Sequence, residues 1–300
     1  MRSLPLLSWQ ELVAQPLGAI PFLIDPYVPE GGIILLYGKT RIGKSPLTWE
    51  IARCVGTGEP FFGCPTRPGR VLYLEFDTPR RLIQPRLELL EPAPNVWWEF
   101  PPVCHIVQAP QIQAAFRALH AQVTPSLVIV NTLRAVYQGD EKDASLPLRV
   151  YGTFQAIFPG AAILFTHHDK KTQGRLAGEG LDPDEAFSGH MAWLNHCQTG
   201  LHLTGHGGRN VSGLLRLTHS KSQVSAMRPP ITLQIEGDGS HISDYSGKRL
   251  QEILTIYHSL GGPKTERVQL VAKHLRIAES TVWAYLSRLP ESPHSDDSEL

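Results

Sequence analysis

The chain has 300 residues, and its 28 basic side chains balance 28 acidic ones, so a whole-surface basic field for nucleic acid is excluded and any such contact must come from local patches. Apolar residues make up 42% and charged residues 19%, no apolar run approaches the roughly 18 residues of a membrane helix, and no basic flank leads into an apolar core as in a secretory signal. Cys54, Cys64, Cys104 and Cys197 are scattered without a Cys-x-x-Cys pair, which reads as reduced thiols in a cytoplasmic protein with no disulfide frame, metal cluster or membrane partner.

A length of 300 suits one α/β core plus a small appendage. Residues 1–30 form a leading segment. In it, Ser8 and Glu11 predict a capping box on a short helix through Val13, and Pro16, Pro21, Pro26 and Pro29 keep the chain extended. The unbroken apolar run Ile33–Tyr37 predicts a central parallel strand buried on both faces. A glycine-rich loop follows, then a helix to about Val55. Val71–Phe76 predicts a second strand and Arg80–Leu90 a helix. Residues 91–110, rich in proline and aromatics, predict irregular chain. Ile112–Gln122 predicts a helix, Leu127–Val130 a third strand and Ala162–Phe165 a fourth. This alternation predicts a mostly parallel sheet with helices on both faces. Residues 169–187 read as a long loop, 200–235 as two or three late strands, and Gly237, Asp238 and Gly239 as a turn. Residues 240–247 read as a linker, 248–290 as a small helical domain and 291–300 as an acidic tail. The principal domain thus spans 31–239.

The segment Gly38-Lys39-Thr40-Arg41-Ile42-Gly43-Lys44-Ser45 matches GxxxxGK[ST] at every fixed position. The glycines let backbone N–H groups turn inward around phosphate oxygens. Lys44 reaches the outer phosphates, Ser45 ligates magnesium, and the following helix adds its N-terminal dipole. The strand before and the helix after supply the required context, so ATP and magnesium are the expected ligands. Pro46 is unusual: proline fits a first helical turn but has no N–H for phosphate. One hydrogen bond worth roughly 0.5–1.5 kcal/mol should be missing.

Polar residues close the other strands. Asn131 ends Leu127–Val130 where a P-loop ATPase places its magnesium-side aspartate; an amide there still reaches a metal-bound water but carries no charge. On that reading, Asn131→Asp is expected to raise turnover. Glu75 and Asp77 end the second strand and are expected on one face, since strands alternate. A carboxylate there would orient the attacking water; alternatively, Asp77-Thr78-Pro79 is a helix cap followed by an N1 proline. His167 and His168 end the fourth strand, with His167 the candidate near the γ-phosphate. Adjacent residues point to opposite faces, so the two histidines do not make a metal pair.

In order and spacing, YGKTRIGKS, VLYLEFDTPRRL, LVIVNTLRAVYQGDEKDAS, ILFTHHDKK and AFSGHMAWLNHCQTGLHL resemble RecA-like ATPases related to plasmid RepA-type hexameric helicases, over roughly residues 5–236. The resemblance implies a RecA-like fold, ATP hydrolysis coupled to work on single-stranded or duplex DNA, and assembly into a homo-oligomeric ring or filament. It also implies a basic residue supplied in trans, for which Arg216 and Lys221 are candidates, with a solvated strand charge as the alternative for each. The loop 169–187 corresponds to the DNA-facing region, where Lys170, Lys171 and Arg175 would contact phosphates; Asp182, Asp184 and Glu185 equally suit a solvated loop. Relatives usually carry Asp at the position of Asn131 and Glu at that of Asp77. With Pro46, these departures imply slow hydrolysis.

The spacing of Val268, Val271, Ala272, Leu275, Val282, Leu286 and Leu289 predicts a helix-turn-helix, turning at Arg276-Ile277-Ala278 and capped by Ser280. Thr281, Trp283, Ala284, Ser287 and Arg288 form its outer face. Such domains bind DNA or dock proteins. Two functions follow from the whole sequence: a DNA-dependent ATPase, helicase-like or recombinase-like, or a nucleotide-gated DNA-binding regulator that hydrolyses weakly.

Overall fold

A computed structural model describes residues 7–14, 18–140, 143–168, 191–205, 214–237, 239–275 and 279–286. Its first helix, α1 (Trp9–Ala14), carries the expected capping box: the Glu11 carboxylate accepts from the Ser8 amide at 2.8 Å and the Ser8 hydroxyl accepts from the Glu11 amide at 3.2 Å. A two-stranded ribbon follows, β1 (Phe22–Ile24) with β2 (Val28–Pro29).

Among the described residues, the core is a nine-stranded sheet. Its centre is β3 (Ile33–Gly38), buried along its whole length as its unbroken apolar run requires. The other strands are β4 (Val71–Glu75), β5 (Val96–Glu99), β6 (Leu127–Asn131), β7 (Ala162–His168), β8 (Thr199–Gly205), β9 (Leu214–Ser222), β10 (Ile231–Ile235) and β11 (Ile242–Asp244). The spatial order is β11-β10-β9-β8-β3-β7-β6-β4-β5. From β8 to β5 all neighbours are parallel, and from β8 to β11 all are antiparallel. One face is covered by α2 (Lys44–Thr57) and α3 (Arg80–Leu87). The other is covered by α4 (Pro110–Val123), α5 (Leu146–Ile157) and the short α6 (Ala192–Asn195). This is the α/β architecture of a RecA-like P-loop domain, a mostly parallel sheet between two helical layers.

Three elements depart from the sequence pattern. Residues 96–99, expected to be irregular, form β5 at the sheet edge, half-buried on one side and exposed on the other. A four-residue edge strand among prolines has too short an alternation to register. Helix α5 has no predicted counterpart. The expected linker at 240–247 is instead β11, which pairs with β10 (Leu233↔Asp244, Ile235↔Ile242), and the next helix begins at Tyr245. Asp244 closes the strand and caps the helix, its carboxylate accepting from the Gly247 amide at 2.8 Å.

Three helices end the described chain: α7 (Tyr245–Ser259), α8 (Lys264–Leu275) and α9 (Glu279–Leu286). They bury Ile253, Tyr257, Val268, Val271, Ala272 and Val282 in a separate cluster, against which Leu275 and Leu286 pack. Of the expected inner faces, Val268, Val271, Ala272 and Val282 are buried and Leu275 and Leu286 partly so. Ser280 lies inside α9 and not ahead of it, because the helix already starts at Glu279. The turn at 276–278, with Ser287, Arg288 and Leu289, lies outside the described residues, as does the acidic tail. Among the described residues, no helix is long and apolar enough to cross a membrane.

Candidate nucleotide site

The pleat decides which strand-end residues meet. Ile34 and Leu36 of β3, Val71 and Tyr73 of β4, Leu127 and Ile129 of β6, and Ala162 and Leu164 of β7 all pack in the cluster that contains α2. Two residues further along each strand stand Gly38, Glu75, Asn131 and Thr166, on the same face by alternation. His168 follows Thr166 by two more. The C-terminal ends of four neighbouring parallel strands thus present one row of polar groups on the side where α2 begins, the usual position for a ligand in an open parallel sheet.

Between β3 and α2 the loop closes tightly. Arg41 has φ 61° and Gly43 φ 112°, both left-handed. A Cβ on Gly38 would run into the Leu203 carbonyl of β8, and one on Gly43 would lie 2.6 Å from Ile235 Cδ1 of β10. Both glycines are therefore sterically required. Lys44 is the first residue of α2 and nearly buried. Its ammonium donates to the Gly38 carbonyl at 2.7 Å and the Lys39 carbonyl at 2.9 Å, and lies 3.3 Å from His168 Nδ1. The amide of Leu47 bonds the Gly43 carbonyl at 3.2 Å. The amides of Lys44 and Ser45 precede it at the positively polarised helix end, where backbone donors lack intrahelical acceptors. Pro46, third in α2, leaves a gap in that set. These residues fit a triphosphate: a cation held by replaceable carbonyls, a helix N-terminus, and glycines that leave no room for side chains. Ser45 is the residue that would hold magnesium.

The first turn of α2 is tied to the strands. Thr48 Oγ1 donates to the Ser45 carbonyl at 2.9 Å and lies 2.7 Å from the Tyr73 hydroxyl of β4. Two residues beyond Tyr73, the Glu75 carboxylate is buried, with 2% of its surface exposed. Its Oε1 accepts from the amides of Asp77 and Thr78, both at 2.9 Å, and its Oε2 accepts from Asn131 Nδ2 at 2.8 Å. Asn131 Oδ1 in turn accepts from Thr166 Oγ1 at 2.6 Å. Burial pushes the Glu75 carboxyl above the usual range, opposed by the donors from Asn131, Thr78 and Asp77.

Several expected residues fall elsewhere. Asp77 does not share a face with Glu75, because β4 ends at Glu75 and Asp77 is exposed beyond it. Nor does Asp77 cap α3, which has Pro79 at its N-cap and no side-chain cap bond. His167 is buried on the opposite face, its ring 6.5 Å from that of Trp193. The histidine that reaches the phosphate loop is His168, which also lies 3.3 Å from Thr40 Oγ1. Counting by twos from Leu164 would have found both His168 and Thr166. Asn131 is not a free magnesium-side group, because both ends of its amide are engaged.

Lys221 is also reassigned. Its ammonium donates to the carbonyls of Leu194 (2.7 Å) and Asn195 (2.6 Å), closing the C-terminus of α6 in its own chain, as a cation suits the negative helix end. Lys221→Met should lower stability by about 1.5–3 kcal/mol, the range for hydrogen bonds to a charged group, with nucleotide affinity unchanged; urea melts and calorimetry check both. Arg216 is exposed on β9. Thr281 is half-buried and Trp283 is exposed, with Lys264 Nζ 5.4 Å from the centre of its ring. Lys170, Lys171 and Arg175 lie outside the described residues, as does Arg288.

A family model described as an AAA domain matches residues 2–174, from the leading segment through β7. No curated protein matches the chain.

Proposed function

The chain belongs to the AAA domain family, and from that premise we propose that this P-loop ATPase binds ATP with magnesium and couples binding or hydrolysis to DNA handling, in a helicase-like or recombinase-like way. The observation that carries the nucleotide reading is the buried Lys44 ammonium at the start of α2, facing the same side as the polar strand ends. The DNA reading is supported by the order of motifs shared with RepA-type helicases and by Lys170, Lys171 and Arg175. Assembly of copies into a ring or filament follows from the same resemblance, with Arg216 the better candidate for a cation supplied in trans, since Lys221 serves its own chain.

A second reading, a nucleotide-gated DNA-binding regulator with weak hydrolysis, is favoured by two observations. Pro46 removes a phosphate donor, and Asn131 is neutral. ATP turnover with and without single-stranded DNA separates the two. A DNA-coupled ATPase should accelerate at least tenfold on DNA; nucleotide-dependent DNA binding with flat turnover selects the regulator. The absence of ATP binding would remove both.

The C-terminal helices give a separate expectation. A chain ending at Asp244 keeps every strand of the sheet and should keep its ATP affinity while losing duplex affinity and salt dependence. Equal affinity and salt slope in the two lengths would place all DNA contact in the core.

A further inference from the structure

The missing charge at residue 131 has a counterpart one strand away. Glu75 and Asn131 are register partners on β4 and β6, on the face that carries α2, and they share a 2.8 Å hydrogen bond. We propose that Glu75 is the strand-end carboxylate of this site, orienting magnesium's water shell in place of an aspartate at 131. The proposal rests on the nucleotide reading and assigns a role within it.

The contacts constrain the pair. Two ionised carboxylates at 2.8 Å cannot coexist, so a glutamate at 75 demands a neutral donor at 131, and Asn131 is that donor. An ionised carboxylate has about four acceptor positions. The amides of Asp77 and Thr78 and the Asn131 side chain fill three, which leaves about one open. The Asn131 amide is held from behind by Thr166 at 2.6 Å, so the carboxylate is fixed by its turn on one side and by a braced amide on the other. Burying a negative charge is unfavourable unless it is paired or used. Among the described residues no ion pair involves Glu75. A divalent cation held by Ser45 and the phosphates supplies the missing positive charge.

The test compares the full-length parent, Glu75→Gln, Asn131→Asp and the exchanged double variant Glu75→Gln with Asn131→Asp. ATP affinity is measured by calorimetry in magnesium and in EDTA, and bound Mn²⁺ is followed by electron paramagnetic resonance. The parent should bind ATP more tightly with magnesium. Glu75→Gln should lose at least tenfold of that gain and hold Mn²⁺ more weakly, with its EDTA affinity within twofold of the parent. The exchanged variant keeps one carboxylate and one amide and should recover the magnesium gain to within about threefold. A Glu75→Gln protein with the parent's magnesium gain and Mn²⁺ spectrum overturns the proposal and leaves the nucleotide site standing. If Glu75→Gln does not fold, the exchanged variant decides alone: folded with the magnesium gain supports the proposal, folded without it overturns it. A parent that binds no ATP in either buffer overturns this proposal and the nucleotide reading together.

Discussion

Replacing Lys44 with alanine should weaken ATP binding by at least a hundredfold, which at about 1.4 kcal/mol per decade is close to 3 kcal/mol. The expectation follows from what the ammonium does without ligand. It is nearly buried and satisfied by two carbonyls of its own loop, at 2.7 and 2.9 Å, so it is already desolvated and placed where phosphate oxygens arrive. Exchanging a neutral carbonyl for an anionic oxygen turns each ion–dipole hydrogen bond into an ion pair, adding the attraction of opposite charges. Alanine removes the charge and leaves the carbonyls of Gly38 and Lys39 facing the phosphates, which adds repulsion. The fold should survive, because the helix starts at the same residue and the glycines flanking it are untouched. Calorimetry that finds parental ATP affinity in a folded Lys44→Ala protein removes the phosphate-loop assignment.

Asn131→Asp should impair the protein. The sequence alone predicts the opposite, because an aspartate at this position is what related ATPases carry. The structure reverses the sign: the new carboxylate would stand 2.8 Å from Glu75 Oε2 in place of the donor now there. Either the pair binds a proton and one carboxyl becomes neutral, or the strand ends separate and the turn at Asp77 and Thr78 loses its anchor. Truncating one partner of a buried charged network costs about 3–5 kcal/mol, and the opposed pair belongs in that range near neutral pH. The pH dependence carries a sign. A shared proton raises the folded-state pKa of the pair above its unfolded value, so the folded variant binds more protons than the unfolded chain. Its stability deficit should therefore be smallest below the ordinary carboxylate range and should grow as pH rises through the raised pKa. The parent has the same slope in milder form, because Glu75 alone is already shifted upward by burial. Urea melts of both proteins from acid to neutral pH check this; a variant as stable as the parent throughout would show that the contact is not formed.

How much of this was legible beforehand depends on what each residue's neighbours contribute. The phosphate loop is local: strand, eight-residue motif and helix are contiguous, and all three stand as their composition requires. Strands β3, β4, β6 and β7 have apolar runs long enough to identify themselves. Edge strand β5 and the three-residue β11 do not, since each is stabilised by a partner strand and not by its own pattern. At the site, alternation puts Asp77 with Glu75 only if β4 runs past Glu75, where it ends, and parity from the core residue Leu164 of β7 selects His168 in place of His167. Only the fold could reveal that Asn131 and Glu75 are ladder partners, because 56 positions separate them in the chain. Lys221 likewise reads as a solvated strand charge in sequence, because the α6 carbonyls that it binds lie 26 to 27 positions earlier.

The absence of a linker between β11 and α7 has a mechanical side. Ile235, whose Cδ1 would lie 2.6 Å from a Cβ on Gly43, is the register partner of Ile242 on β11. Asp244 ends that strand and caps α7 with no residue between. A helix of 15 residues is a lever arm of about 22 Å at 1.5 Å per residue. A tilt of roughly 10° at its strand-anchored end, transmitted without slack, would sweep the far end through about 4 Å, most of one helical turn. The phosphate loop thus lies beside β10, and β11, the neighbour of β10, runs without a break into the helix on which α8 and α9 pack.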